Sequence, residues 1–170
     1  MPIHLDVAVY DTPFGELTVF VAPEDRAVVC STFLPMPDAA QALPAPLAAR
    51  GLVEARDDAV TTAVDAWLRG DGSLLTTVPV RQHGSPFFSE VWEAIRQIRS
   101  GETASYGEIA HMAGRPRAAR AAGTACGRNQ TAPFVPCHRV VASHGIGSYG
   151  FGGVDVKAAM LQLEGARVPA

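Results

Sequence analysis

The chain has 170 residues and a formal net charge of −3, and 48% of its residues are hydrophobic. This composition accommodates one large or two small packed domains and argues against a disordered chain. No apolar run approaches the roughly 20 residues that span a bilayer, so we expect no membrane partner. The chain has three cysteines, an odd number, which argues against a disulfide framework and predicts a reducing compartment, the cytoplasm.

The start of the chain predicts a small sheet. Three runs rich in β-branched and aromatic residues, at 5–10, 17–22 and 27–33, are separated by turn signals. Four prolines then fall within 35–50, which predicts a connecting segment.

A helix is predicted after this connection. Asp57 or Asp58 can cap its N-terminus and Gly70 ends it. Apolar residues spaced three and four apart form one buried stripe, which comprises Val60, Ala63, Val64, Trp67 and Leu68. A short strand is predicted around 74–80, and the polar residues that follow mark a domain boundary near 81–85.

The second half is predicted to be mainly helical. Its first helix opens at Ser85-Pro86 and ends at Gly101, with a core face formed by Phe88, Val91, Trp92, Ile95 and Ile98. Its last helix can be capped by Asp155 and is closed by Gly165.

Between these two helices lies a helix-turn-helix pattern. A capping box at 105–108 begins a short helix through Ala113, and Gly114 turns the chain. Pro116 suits the first position of a second helix that runs to about Cys126.

This second helix carries a positive face that could meet DNA. Arg117 and Arg120 are three residues apart on one face, and Arg115 and Arg128 lie near its ends. Residues 85–170 have a charge balance of +3 whereas residues 1–84 have −6, so a polyanion would approach the second half. Helical hairpins with exposed arginines are common, and the pattern alone leaves DNA binding open.

The stretch 134–140 places Cys137 beside His138 and after Pro136. A free thiol has a pKa of about 8.5 and is only a few per cent ionised at neutral pH. A histidine polarised by a carboxylate can take the thiol proton, either directly or through a water. The pair alone favours a buried structural thiol next to a surface histidine.

Read together, these segments resemble the O6-alkylguanine-DNA alkyltransferases, also called methylated-DNA–protein-cysteine methyltransferases. The motif PCHRV at 136–140 is preceded by RAAGTACGRN and followed by a Gly-rich segment and a helix ending in Leu163-Glu164-Gly165. Residues 85–114 resemble the segment that leads into the family's helix-turn-helix. The resemblance covers about 84–165 strongly and 12–19 weakly.

The resemblance implies an α+β fold and a DNA-repair activity. A small N-terminal sheet-plus-helix domain, RNase H-like, is expected over 1–83, and a mainly helical domain with a winged helix-turn-helix over 84–170. The implied reaction is a one-time, irreversible transfer of an alkyl group to Cys137 from O6 of guanine, and from O4 of thymine, with the base flipped out of double-stranded DNA. No cofactor and no metal are expected. We expect a monomer in solution and leave cooperative binding along DNA open.

The resemblance also assigns site residues. Cys137 matches the alkyl acceptor, His138 the water-mediated base and Glu164 the carboxylate that orients this base. Asn129 matches the residue that braces the active-site turn, and Tyr106 the tyrosine that contacts the flipped base. The expected DNA-binding residues are Arg120, which enters the stack where the guanine leaves, and Arg115, Arg117, Arg128, Ala121 and Gly123. The expected guanine pocket comprises Pro136, Val140, Ser148, Tyr149, Gly150, Phe151 and Gly152.

Some positions depart from the family pattern. Gln130-Thr131-Ala132 replaces a common Pro-x-Pro, Gly150 replaces a common tyrosine, and Val156 replaces a common arginine. These changes leave the range of accepted alkyl groups open. Among the remaining residues, the sequence favours structural roles for Cys30, Cys126, Trp67 and Trp92.

Two other functions compete with alkyl transfer. The first is a helix-turn-helix protein that recognises alkyl damage without chemistry, but relatives of that kind lack the acceptor cysteine. The second is a cysteine hydrolase, for which the sequence offers no oxyanion-hole signature. An added role in transcription, found in longer relatives, would need a further metal-binding cysteine domain.

Overall fold

A computed structural model describes residues 4–170 of the chain. The N-terminal part is a four-stranded sheet in the order β3-β2-β1-β4, formed by β1 (His4–Thr12), β2 (Gly15–Ala22), β3 (Ala27–Thr32) and β4 (Gly51–Glu54). The first three strands are antiparallel, and β4 runs parallel to β1. The three predicted strands are confirmed. The edge strand β4 was not predicted, because all four of its residues are exposed and give no pattern of burial.

The proline-rich segment is more regular than a simple connection. It forms two short helices, α1 (Met36–Gln41) and α2 (Ala45–Ala48). Each follows a proline and has a second proline in its first turn, where a missing N–H costs no helical hydrogen bond. The prolines therefore begin helices here.

The predicted helix of the first half is confirmed as α3 (Asp58–Leu68). The Asp57 side chain accepts a hydrogen bond from the Val60 N–H at 3.0 Å. The strand expected around 74–80 is wrong, because Leu75–Thr77 form a 3₁₀ turn. In this stretch Val80 bridges to Val28 of β3.

The second half contains four helices and a two-stranded parallel ladder within the described residues. The helices are α4 (Pro86–Ile95), α5 (Tyr106–Met112), α6 (Ala119–Gly127) and α7 (Val154–Leu163). The ladder joins β5 (Ala104–Ser105) to β6 (Val140–Val141). The caps predicted at Ser85 and in the Ser105–Glu108 capping box are confirmed.

Three helix ends differ from the sequence prediction. The α4 helix stops at Ile95 rather than at Gly101, because tighter turns with hydrogen bonds between residues three apart follow it. The α6 helix starts at Ala119, so Pro116 lies in the preceding turn. Gly153 rather than Asp155 precedes α7. Asp155 lies in the first turn of the helix, where its carboxylate interacts favourably with the positive end of the helix dipole.

Both halves of the chain contribute to one buried cluster. Val21 of β2 and Trp67 of α3 belong to the same cluster as Ile95 of α4 and Met160 of α7. Trp67 of α3 therefore belongs to the same core as residues of the C-terminal helices. Across residues 4–170, no helix is long and apolar enough to cross a membrane.

Candidate active site

Cys137 begins a 3₁₀ turn (Cys137–Arg139) that directly precedes β6. The residue is only 5% exposed. Its Sγ accepts a hydrogen bond from Asn129 Nδ2 at 3.2 Å, and the same amide nitrogen donates to the Val135 carbonyl at 2.9 Å. Asn129 thereby holds the thiol and the backbone before it in one arrangement.

His138 and Glu164 form a fully buried pair. His138 Nε2 lies 3.0 Å from Glu164 Oε2, and both side chains have no exposed surface. Burial raises the pKa of Glu164, but His138 and Arg139 outweigh this effect and bring the pKa down to about 2. Because the ionised carboxylate can only accept, Nε2 of His138 carries the proton that joins the pair.

The other nitrogen of His138 is free to accept a proton. Its Nδ1 is buried and has no hydrogen-bond partner among the described residues. Burial lowers the pKa of His138, although Glu164 opposes this change. The ring is therefore neutral at ordinary pH, with its basic atom unoccupied.

The ionisation of the Cys137 thiol is controlled by opposing effects. Burial raises its pKa, while the hydrogen bond from Asn129 and the nearby charge of Lys157 lower it. A buried thiol needs a base close by to ionise, and the neighbouring imidazole can supply one.

Arg139 anchors Glu164 from the same turn. Its Nε donates to Glu164 Oε1 at 2.9 Å and its Nη2 to Oε2 at 2.8 Å, and Nη1 donates to the Ile98 carbonyl. This fork fixes the plane of the carboxylate. Gly72 lies against this pair, and a Cβ there would come within 2.6 Å of Arg139 Nη2 and 2.7 Å of Glu164 Oε2.

Lys157 is buried close to the thiol. Its Nζ donates to the Ser148 carbonyl at 3.0 Å and lies 5.8 Å from the centre of the Tyr106 ring. Burial lowers the pKa of Lys157, and burial raises that of Tyr106. The lysine ties the loop that holds Ser148 to α7.

Comparisons with known proteins identify the family. A sequence model described as the DNA-binding domain of 6-O-methylguanine DNA methyltransferase matches residues 86–166. The methylated-DNA–protein-cysteine methyltransferase of Mycobacterium bovis is 51% identical over 88 residues, which are 51% of this chain and 53% of that protein. The crystal structure of the Mycobacterium tuberculosis O6-methylguanine methyltransferase has a TM-score of 0.77 and 32% identity, covering 98% of this chain and 96% of that one. The chain belongs to this family.

Family membership confirms the resemblance seen in the sequence and the mixed α+β fold. The sequence match itself spans about half the length of the curated Mycobacterium bovis relative. A structure of the Mycobacterium tuberculosis protein in complex with DNA is also similar, with a TM-score of 0.77 and 32% identity over 98% of this chain and 95% of that one.

An open groove brings several of the expected methyltransferase residues together. It encloses about 640 Å³ and is lined by Tyr106, Gly107, Ala119, Arg120, Gly123, Thr124, Ala142, Ser143, Gly147 and Ser148. Tyr106 of α5, Arg120 of α6 and Ser148 were assigned from the sequence to three different roles. The groove thus joins the helix-turn-helix to the loop before α7.

Other expected DNA contacts lie outside this groove. Arg115, Arg117 and Arg128 are exposed, and Ala121 is half-buried. The prediction that Arg117 shares a helix face with Arg120 is wrong, since Arg117 lies in the turn before α6. The Arg115 guanidinium lies 4.9 Å from the centre of the Phe87 ring.

The expected guanine-pocket residues are split between the interior and the surface. Pro136, Val140 and Tyr149 are buried, Phe151 is half-buried, and Gly150 and Gly152 are exposed. The Tyr149 hydroxyl is buried without a hydrogen-bond partner among the described residues, and burial raises its pKa.

Three residues of the site were missed as functional candidates. Trp67 donates from Nε1 to Glu164 Oε2 at 3.0 Å, although its place on an apolar helix face indicated only core packing. Arg139 and Lys157 are buried cations. The one available signal was Arg139, a permanent charge inside the mostly apolar run 134–141.

Cys30 and Cys126 are free thiols, like Cys137. Burial raises the pKa of Cys30 to about 11 and raises that of Cys126 as well. Within residues 4–170, no hydrogen bond joins the thiol of Cys30 or Cys126 to a histidine or a carboxylate.

Proposed function

We propose that this chain repairs DNA by moving an alkyl group from O6 of guanine, and from O4 of thymine, onto Cys137, once per molecule. The observation that carries this proposal is the buried Cys137 thiol next to His138, whose Nδ1 has no hydrogen-bond partner in residues 4–170 and whose Nε2 bonds to Glu164. Such a set can produce a thiolate inside a buried site. Family membership supplies the substrate class.

The transfer is a single displacement at carbon. The thiol proton passes to His138 Nδ1, directly or through a water, and Sγ attacks the alkyl carbon. The new bond joins sulfur to carbon while the carbon–O6 bond breaks and its electron pair stays on O6. The base leaves as an anion, and the Tyr106 hydroxyl at the groove can stabilise its charge. It then takes up one proton, which balances the proton that the thiol gave to His138. The thioether has no easy reversal, so one turnover follows.

Burial of the thiol requires the target base to leave the duplex. Cys137 is 5% exposed, so an alkyl group on a stacked guanine could not reach it. Flipping costs a few kcal/mol, and the exposed Arg120 on the groove can offset part of this cost by filling the gap. Gly123, beside Tyr106, leaves room for close approach to the duplex.

We assign the finer architecture in the same way. The sheet with α3 against it supports an RNase H-like domain over 1–83, and α5 and α6 with the β5–β6 ladder support a winged helix-turn-helix domain over 84–170. Arg115, Arg117 and Arg128 are exposed and suit phosphate contacts. A monomer is expected, with cooperativity on DNA open, and the reducing cytoplasm would keep Cys137 a free thiol.

The test is intact mass spectrometry after incubation with a short duplex that carries one O6-methylguanine, followed by peptide mapping. We expect a gain of one methylene that stops at one per protein and maps to Cys137. The Cys137→Ala variant should fold, bind the duplex and gain no mass. An unmodified wild-type protein that still binds the duplex would instead favour a damage-recognition protein without chemistry.

A further inference from the structure

The Glu164 carboxylate receives hydrogen bonds from both halves of the chain. Its Oε2 is shared by three groups, which are His138 Nε2 at 3.0 Å, Arg139 Nη2 at 2.8 Å and Trp67 Nε1 at 3.0 Å. His138 and Arg139 belong to the same turn as the reactive cysteine. Trp67 belongs to α3 and lies outside residues 86–166, which match the family.

Packing fixes the Trp67 indole in place. The residue is fully buried, and its ring lies 5.5 Å from that of Phe14 and 6.3 Å from that of Phe33. The His138 ring lies 6.3 Å away on another side. The indole N–H therefore cannot turn away from Glu164 without disturbing the core of the first half.

The effect of this N–H is electrostatic more than geometric. Arg139 already orients the carboxylate through two hydrogen bonds. A third donor on Oε2 withdraws part of the negative charge that would otherwise stabilise a protonated His138. Removing the donor should make His138 easier to protonate.

We propose that Trp67 is a positioning residue for the His138–Glu164 pair, through which the N-terminal half of the chain sets how readily His138 takes a proton. This inference rests on the proposed role of His138 as the base. The charges that act on His138 come from Glu164, Arg139 and Lys157, and Tyr149 is the titratable neighbour that interacts with both Cys137 and Glu164. These groups all follow residue 84, so the Trp67 N–H is a separate contribution from the first half.

The experiment compares Trp67→Phe with Trp92→Phe. Trp92 is also buried, and its Nε1 donates to the Ala125 carbonyl at 2.9 Å, away from Glu164. Each variant thus loses one indole hydrogen bond from the core. The histidine rings are labelled with ¹⁵N, and His138 is assigned by the loss of its signals in His138→Gln. We expect the protonation midpoint of His138 to rise by about one pH unit in Trp67→Phe relative to Trp92→Phe.

A second measurement follows the reactivity of Cys137. Its rate of alkylation by iodoacetamide is measured against pH, with peptide mapping to separate it from Cys30 and Cys126. We expect the acidic limb of this rate profile to move up with the His138 midpoint in Trp67→Phe alone. Equal profiles and equal midpoints in the two variants would overturn the inference.

Separate controls test whether the variant folds and whether the proposed function holds. If Trp67→Phe does not fold, incorporation of benzothienylalanine at position 67 keeps the shape of the ring and removes only the N–H. Neither measurement uses DNA. A wild-type protein that takes no methyl group from the duplex would refute the proposed function, while the His138 shift would still decide the role of Trp67.

Discussion

The buried network around Glu164 and the open groove around Arg120 use charged side chains in opposite ways. In the network, Arg139 is 1% exposed and its Nε, Nη1 and Nη2 all donate hydrogen bonds to carboxylate or carbonyl oxygens. In the groove, Arg120 is exposed, and no ion pair joins it to a carboxylate of the described residues. One arginine is committed to the fold, while the other is available to a ligand.

This difference predicts that mutations in the network lower the stability of the fold, whereas mutations in the groove weaken ligand binding. A buried charge that loses its partner is costly, so removing a charged partner from the network should lower the free energy of unfolding. An exposed charge contributes little to folding, so mutations in the groove should change binding and transfer alone.

The largest expected effect comes from breaking the network. Arg139→Leu would leave the Glu164 carboxylate buried with two of its four hydrogen bonds removed. The free energy of unfolding should fall by about 3–5 kcal/mol, as measured by urea denaturation with tryptophan fluorescence. Arg120→Leu is the matched control, and its change should stay within about 0.5 kcal/mol. Similar losses in the two variants would contradict the distinction between the network and the groove.

The next effect is on transfer and leaves stability unchanged. Arg120→Ala removes the side chain proposed to fill the gap left by the flipped base, so transfer from a methylated duplex should slow by about tenfold or more, because flipping costs a few kcal/mol. Transfer from a free O6-alkylguanine base needs no flipping and should keep its rate. Single-turnover assays on both substrates measure this. An equal loss on both would show that Arg120 acts on the chemistry itself.

The smallest expected effect compares two buried tyrosine hydroxyls, one without and one with a hydrogen-bond partner among the described residues. Tyr149→Phe removes a buried hydroxyl that has no hydrogen-bond partner in the described part of the chain, so the protein should become more stable by about 1 kcal/mol. Tyr10→Phe removes a hydroxyl that bonds to Thr61 Oγ1 at 2.8 Å and should lower stability by a similar amount. Thermal unfolding of both variants checks the signs, and a loss of stability in Tyr149→Phe would show that its hydroxyl has a partner.

Local signals in the sequence predicted much of the fold. Helix starts are predicted at Asp57, at Ser85 and at the capping box Ser105–Glu108, because these side chains accept hydrogen bonds from the first free N–H groups of each helix. The strand β4 and the turn at Leu75–Thr77 escaped prediction. The edge strand buries nothing, and the apolar residues of the turn are held by contacts distant in sequence.

The candidate site followed from family resemblance more than from local pattern. Cys137 and His138 are adjacent in sequence, and their pairing with Glu164 was expected from the family motif. Trp67 could not be found in this way, because it lies 97 residues from Glu164 and its helix face is equally typical of ordinary packing. A buried indole N–H usually finds a partner, but the sequence does not name the partner.

The close contacts around Gly72 predict which residues the protein tolerates at this position. Since Arg139 and Glu164 are held by several hydrogen bonds, they cannot retreat from a side chain at position 72. In a saturation library, this site should return glycine alone. Trp67 and Gly72, five residues apart, therefore act on the same carboxylate from the first half of the chain, one by donating a hydrogen bond and the other by leaving space.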